Sequence, residues 1–111
     1  MDKDTQGKST SISRALAAPL SAKQLFPLGA VVATPGALDL LDRNGINATT
    51  YLIRHQCGDF GSLCPADAQE NMFAVNRHLR ILSAYDVGTE RLWLITEADR
   101  SATTLLLPSE Y

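Results

Sequence analysis

The chain has 111 residues and a mass of 12.0 kDa, enough for one domain with one real core and nothing larger. Its 45% hydrophobic and 20% charged content excludes disorder over the whole length, and its net charge of −2 argues against a dedicated duplex-DNA binder. Two cysteines are too few for a disulfide scaffold.

The charge is uneven along the chain. Residues 1–27 carry Lys3, Lys8, Arg14 and Lys23 against Asp2 and Asp4, whereas the remainder sets six arginines against ten acids. Residues 1–24 are rich in Ser, Thr, Gln and Ala without a sustained period, which predicts a basic, loosely held arm before a single domain over 25–111. The longest apolar run in the arm, Ala15 to Leu20, contains Pro19 and is shorter than the core of a secretory signal. No stretch reaches the roughly 18 apolar residues of a membrane span. The expected location is therefore cytoplasmic, with no membrane contact.

Order is expected from Leu25. Leu28 to Ala33 reads as a buried strand or an extended lead-in. Thr34-Pro35 opens a first helix, with Leu38 and Leu41 on its inner face and Asn44-Gly45 as its stop. Asn47 caps a second helix from Ala48 to Cys57, with Ala48, Leu52 and His55 inward and Tyr51 and Ile53 flanking. After a turn-rich loop, Pro65 opens the longest helix, in which Ala68, Met72, Val75 and Leu79 form one apolar stripe. The period then changes to two. Strands are predicted from residue 81, over Arg91–Thr96 and over Ala102–Leu107, joined by turns at 86–90 and 97–101. Helices followed by an antiparallel meander of three to four strands make an α+β domain, its helices packed on one sheet face and Trp93 against the Met72-Val75-Leu79 stripe. Such a sheet has edges that must be covered or paired, and homodimerisation is one way to do it.

Several residues then stop looking generic. Arg54-His55, Gly58-Asp59-Phe60-Gly61, Glu70-Asn71, Leu82-Ser83-Ala84-Tyr85 and the run Trp93 to Ser101 resemble a family of small bacterial proteins encoded on plasmids, integrons and other mobile elements. The resemblance spans about residues 26–111. Phe60 stands where that family usually has tryptophan, and Cys64-Pro65 where it often has acids. No activity is established for the family, so the resemblance implies a genomic setting and no mechanism.

Catalytic signatures are missing from the sequence: there is no nucleophile elbow, Walker loop or dinucleotide fingerprint. His55, Cys57, Cys64 and His78 are zinc-type donors at spacings that match no zinc motif, so neither a metal nor another cofactor is expected. A disulfide between Cys57 and Cys64 across their loop is geometrically open but not implied in a reducing compartment. Asp59 reads as a turn-former bonded to backbone amides. Glu97, Asp99 and Arg100 share one turn, with Thr96, Ser101, Thr103 and Thr104 around it, an arrangement that either fixes the backbone or holds a ligand.

Two functions follow as expectations. The first is a small regulatory or binding accessory protein that contacts a macromolecular partner through Asp59, Glu97, Asp99, Arg100 and Thr103, without turnover. The second is a metal-independent, toxin-like ribonuclease. It would use Glu97 as base, His55 as acid, Asp59 to orient the histidine and Arg100 as phosphate clamp, with Arg54 and Arg77 supplying positive potential.

Overall fold

A computed structural model describes residues 23–111. The arm expected over residues 1–24 lies almost wholly outside them.

Thr34 caps the first helix as its sequence demands: its hydroxyl accepts from the Ala37 N–H, and Pro35 occupies the first turn of α1 (Pro35–Arg43). Before it runs β1 (Ala30–Ala33). Asn47 caps α2 (Ala48–Gln56) through its side-chain oxygen and the Thr49 N–H, and α3 (Pro65–Arg77) opens on Pro65. Three strands follow, β2 (Ile81–Val87), β3 (Glu90–Thr96) and β4 (Ala102–Leu106), before a single 3₁₀ turn at Pro108–Glu110.

The strands form one sheet in the order β1-β4-β3-β2. Pairs β2–β3 and β3–β4 are antiparallel, with Ile81 opposite Thr96 and Thr96 opposite Thr103. The pure antiparallel meander expected from the sequence is corrected in one respect. β1, which precedes the helices, returns to the sheet and pairs parallel to β4, Val31 beside Thr103, so the sheet is mixed. Parallel strands cannot be joined by a tight turn; the three helices between β1 and the hairpins supply the long crossover that this pairing requires. Its position also corrects its burial, for an edge strand is covered on one side only, and Val31 and Val32 are exposed.

All three helices lie on one sheet face, as an α+β arrangement requires. Ala37, Leu40, Leu41 and Tyr51 pack with Tyr85, Val87, Leu92, Leu94 and Leu105 in one cluster, and Phe26, Phe60, Ala74 and Ile81 form a second. Two expected stripes are displaced. On α1 the inner residues are Ala37, Leu40 and Leu41, while Leu38 is exposed; on α3 they are Asn71 and Ala74, while Met72 and Leu79 are exposed. Trp93 points to the sheet's other face, because it alternates with the buried Leu92 and Leu94. It meets Tyr111 edge-to-face at 5.7 Å instead of the α3 stripe.

Candidate functional site

His55 lies between the two apolar clusters, fully buried on the inner side of α2. Period-2 alternation turns Ser83, Thr96 and Thr103 inward from three neighbouring strands to meet it. Nδ1 of His55 is 2.5 Å from the Ser83 hydroxyl, and Nε2 is 2.8 Å from that of Thr96. Thr96 in turn is 2.7 Å from Thr103, which donates to the Leu28 carbonyl at 2.7 Å.

Counting protons orients this chain. A carbonyl only accepts, so the single hydroxyl proton of Thr103 goes to Leu28. Thr96 must then donate to Thr103, and its oxygen accepts from Nε2–H of His55. Burial lowers the imidazole pKa from 6.5 to about 4, so the ring is neutral at pH 7. Nδ1 is then unprotonated and accepts from Ser83, which fixes one tautomer. Phe26 stacks edge-on against the ring at 5.1 Å, and Phe60 closes another side. Such a histidine is a satisfied core group with no access to a substrate.

Arg100 is also turned inward. Its φ of 62° is left-handed, and the guanidinium points back under α3. One terminal nitrogen donates to the carbonyls of Leu79 at 2.7 Å and Glu97 at 3.1 Å; the other donates to Ala74 at 2.9 Å. A cation is well placed against the carbonyls at a helix C-terminus. Phe26 lies beneath it, the guanidinium carbon 5.7 Å from the ring centre. Burial lowers the Arg100 pKa, and no carboxylate bonds to the side chain among the described residues.

The acids of the sequence reading are held separately. Asp59 follows α2, bonded by Nε of Arg54 at 2.7 Å and by the Gly61 N–H at 3.2 Å, and the Arg54 bond lowers its pKa. It sits at the Tyr85 end of β2, where the Tyr85 hydroxyl donates to the Asp59 carbonyl at 2.6 Å. Glu97 lies beyond the Ile81 end of that strand, 3.7 Å from Nε of Arg80. Asp99 accepts from the Ser101 N–H at 3.0 Å and closes its own turn, its pKa lowered first by the Ser101 hydroxyl. Of the sequence candidates, Thr103 and His55 are brought together through Thr96, and Arg54 pairs with Asp59 at the surface. Glu97 and Arg100 are neighbours in sequence whose side chains diverge.

His55, Cys57, Cys64 and His78 do not gather either, and no cluster of three metal-binding side chains exists among the described residues. Both cysteines are free.

A surface feature escaped the sequence reading. A groove of about 540 Å³ runs between α3 and the margin of β2, walled by Leu63, Phe73, Leu79 and Leu82. Asp67 and Glu70 stand at its rim with Arg80. At its floor the Asn71 side chain donates to the Leu82 carbonyl at 2.6 Å and accepts from the Leu82 N–H at 3.2 Å, taking the place of a neighbouring strand. The signal for Ser83 and Thr96 was available, since both occupy inward positions of alternating strands. Glu70-Asn71 stood out only through the resemblance, and nothing local shows that Asn71 bonds Leu82. No protein-family model, curated protein or solved structure matches the chain.

Proposed function

We propose that the protein is a small cytoplasmic binding or regulatory accessory of mobile DNA, acting by contact with another macromolecule and without turnover. The observation that carries the contact is the outer face of α3. Phe73 is 52% exposed, with Met72 and Leu79 exposed beside it, along an apolar groove whose rim bears Asp67 and Glu70. Exposed apolar side chains grouped beside a groove, with charge at the rim, are the anatomy of a docking surface. The partner that complements it presents an apolar side chain, set among polar groups that face a rim of both charges, Asp67 and Glu70 with Arg80. His55 and Arg100, by contrast, are engaged in holding the fold. The mobile-element setting rests on the resemblance over residues 26–111, and the cytoplasmic setting on two free thiols flanking one loop. No described helix is long and apolar enough to cross a membrane.

The ribonuclease reading has no observation in its favour, because its acid is buried with both ring nitrogens bonded and its clamp faces the interior.

The test is affinity capture from the native host with wild type and Phe73→Asp, each checked for an unchanged melting temperature. A partner that binds wild type should bind the variant at least about tenfold more weakly, the size of a central aromatic anchor. Equal capture by both, or cleavage of RNA by the wild type, overturns the reading.

A further inference from the structure

The two edges of the sheet are treated differently. The β2 edge is closed along its length. Asn71 satisfies both backbone groups of Leu82, Phe60 accepts from the Ala84 N–H at 3.1 Å, and the Ser62 N–H donates to the Ala84 carbonyl at 2.7 Å. Asp86 then adds a charge, bonded by the Ser62 hydroxyl. These are the devices by which a fold prevents a strand from adding to its edge.

The β1 edge has none of them. Ala30-Val31-Val32-Ala33 contains no charge, proline or bulge, and among the described residues nothing pairs with its outer side. Val31 and Val32 are 46% and 49% exposed, one on each face. The Ala30 N–H donates inward to Ser101 and the Thr34 N–H to Leu105, so alternation aims the backbone groups of Val31 and Ala33 outward. Gly29, with φ of 68°, ends the extended backbone on one side, and Pro35 ends it on the other.

We propose that β1 is the pairing edge for a second copy of this chain, antiparallel across a two-fold axis through Val32. The outward groups at residues 31 and 33 match themselves under that operation. Val31 meets Ala33 of the second copy and Ala33 meets its Val31, which forms four main-chain hydrogen bonds and joins two four-stranded sheets into one of eight. Val32 then stands directly opposite its own equivalent, and no charge on the strand opposes another. A register centred on Val31 would draw in Gly29, whose left-handed backbone is not extended, and is disfavoured for that reason. Self-pairing fits the edge better than a longer foreign strand, since Gly29 and Pro35 limit it to five residues whatever the partner's length. A contact of that length buries less than the roughly 1,000 Å² of a permanent dimer, so association is reversible and concentration-dependent.

Sedimentation equilibrium of the full chain up to about 1 mM tests this, the weak end of specific association. Wild type should pass from monomer to dimer. Val32→Lys and Val32→Glu should each remain monomeric through like charges directly opposite one another, and their equimolar mixture should regain dimer. Val31→Pro removes only an outward N–H and should be a folded monomer by circular dichroism. Wild type that stays monomeric throughout, variants that dimerise as wild type does, or a mixture no more associated than its components overturns the proposal. The Val32 variants, at an exposed position, keep the test valid if the proline variant does not fold.

Discussion

Arg100 shows how a residue type that suggests a binding site is used for structure. A guanidinium carries five donors in a rigid fork, so one side chain serves the carbonyls of Ala74, Leu79 and Glu97 at once. Replacing it with alanine leaves the Leu79 carbonyl without a partner and takes one bond each from the Ala74 and Glu97 carbonyls, which keep main-chain donors. Arg100→Ala should cost about 2–4 kcal/mol in urea unfolding, and Arg100→Lys should recover less than half, because a point charge cannot reach both ends of the fork. A loss within about 0.5 kcal/mol for alanine would mean that the bonds add nothing beyond hydration. His55 follows the same logic with a neutral ring: two strands' hydroxyls converge on a helix residue, and each nitrogen has one assigned role.

At the scale of elements, the loop between α2 and α3 acts as a partial fifth strand. Gly61 pairs beside Ala84 with φ of 79°, and a Cβ there would strike the Ala84 carbonyl oxygen. Gly45 has a comparable φ of 63° but open space around it, so the two positions separate backbone preference from close approach. Gly45→Ala should cost about 1 kcal/mol from the left-handed backbone alone, and Gly61→Ala at least twice that, with β2 amides exchanging faster. Equal losses at the two sites would show that the loop does not press on the strand. Resemblance over Gly58 to Gly61 marked this segment in the sequence, but its contact with β2 was not legible, since nothing in a local pattern names a partner strand.

For the whole molecule, the neutral burial of His55 links stability to pH. The folded ring titrates at about 4 against an ordinary 6.5, so the unfolded chain takes up the proton first on acidification. The contribution is fully present above about pH 6.5 and is lost as pH falls through 4. The difference corresponds to about 3 kcal/mol. Its surroundings, Ser83, Thr96, Phe26 and Phe60, bring no carboxylate to the ring, and Arg100 beneath Phe26 adds only positive charge. Asp59, Asp99 and Glu110, held low by hydrogen bonds, make smaller contributions because they are largely exposed, and lose them at the acid end, as pH falls through their lowered pKa values. Unfolding free energies from pH 7 to 4 should fall in wild type and stay nearly flat over that range in His55→Asn; a flat wild-type profile would refute a buried neutral imidazole.

Local chemistry by itself determined most elements of this protein: Thr34-Pro35 and Asn47 start helices, Asn44-Gly45 stops one, and the change of period near Ile81 begins the sheet. Each depends on groups within about four residues, which is the range of caps, turns and side-chain alternation. Tertiary structure decided what lies farther apart. The return of β1 to β4, the inward fold of Arg100 and the pairing of Asn71 with Leu82 all satisfy backbone groups across separations that no periodicity records. The same distinction explains the candidate residues. Sequence can mark His55, Glu97 and Arg100 as polar, but whether a side chain meets solvent or the carbonyl of a distant segment depends on the completed packing around it.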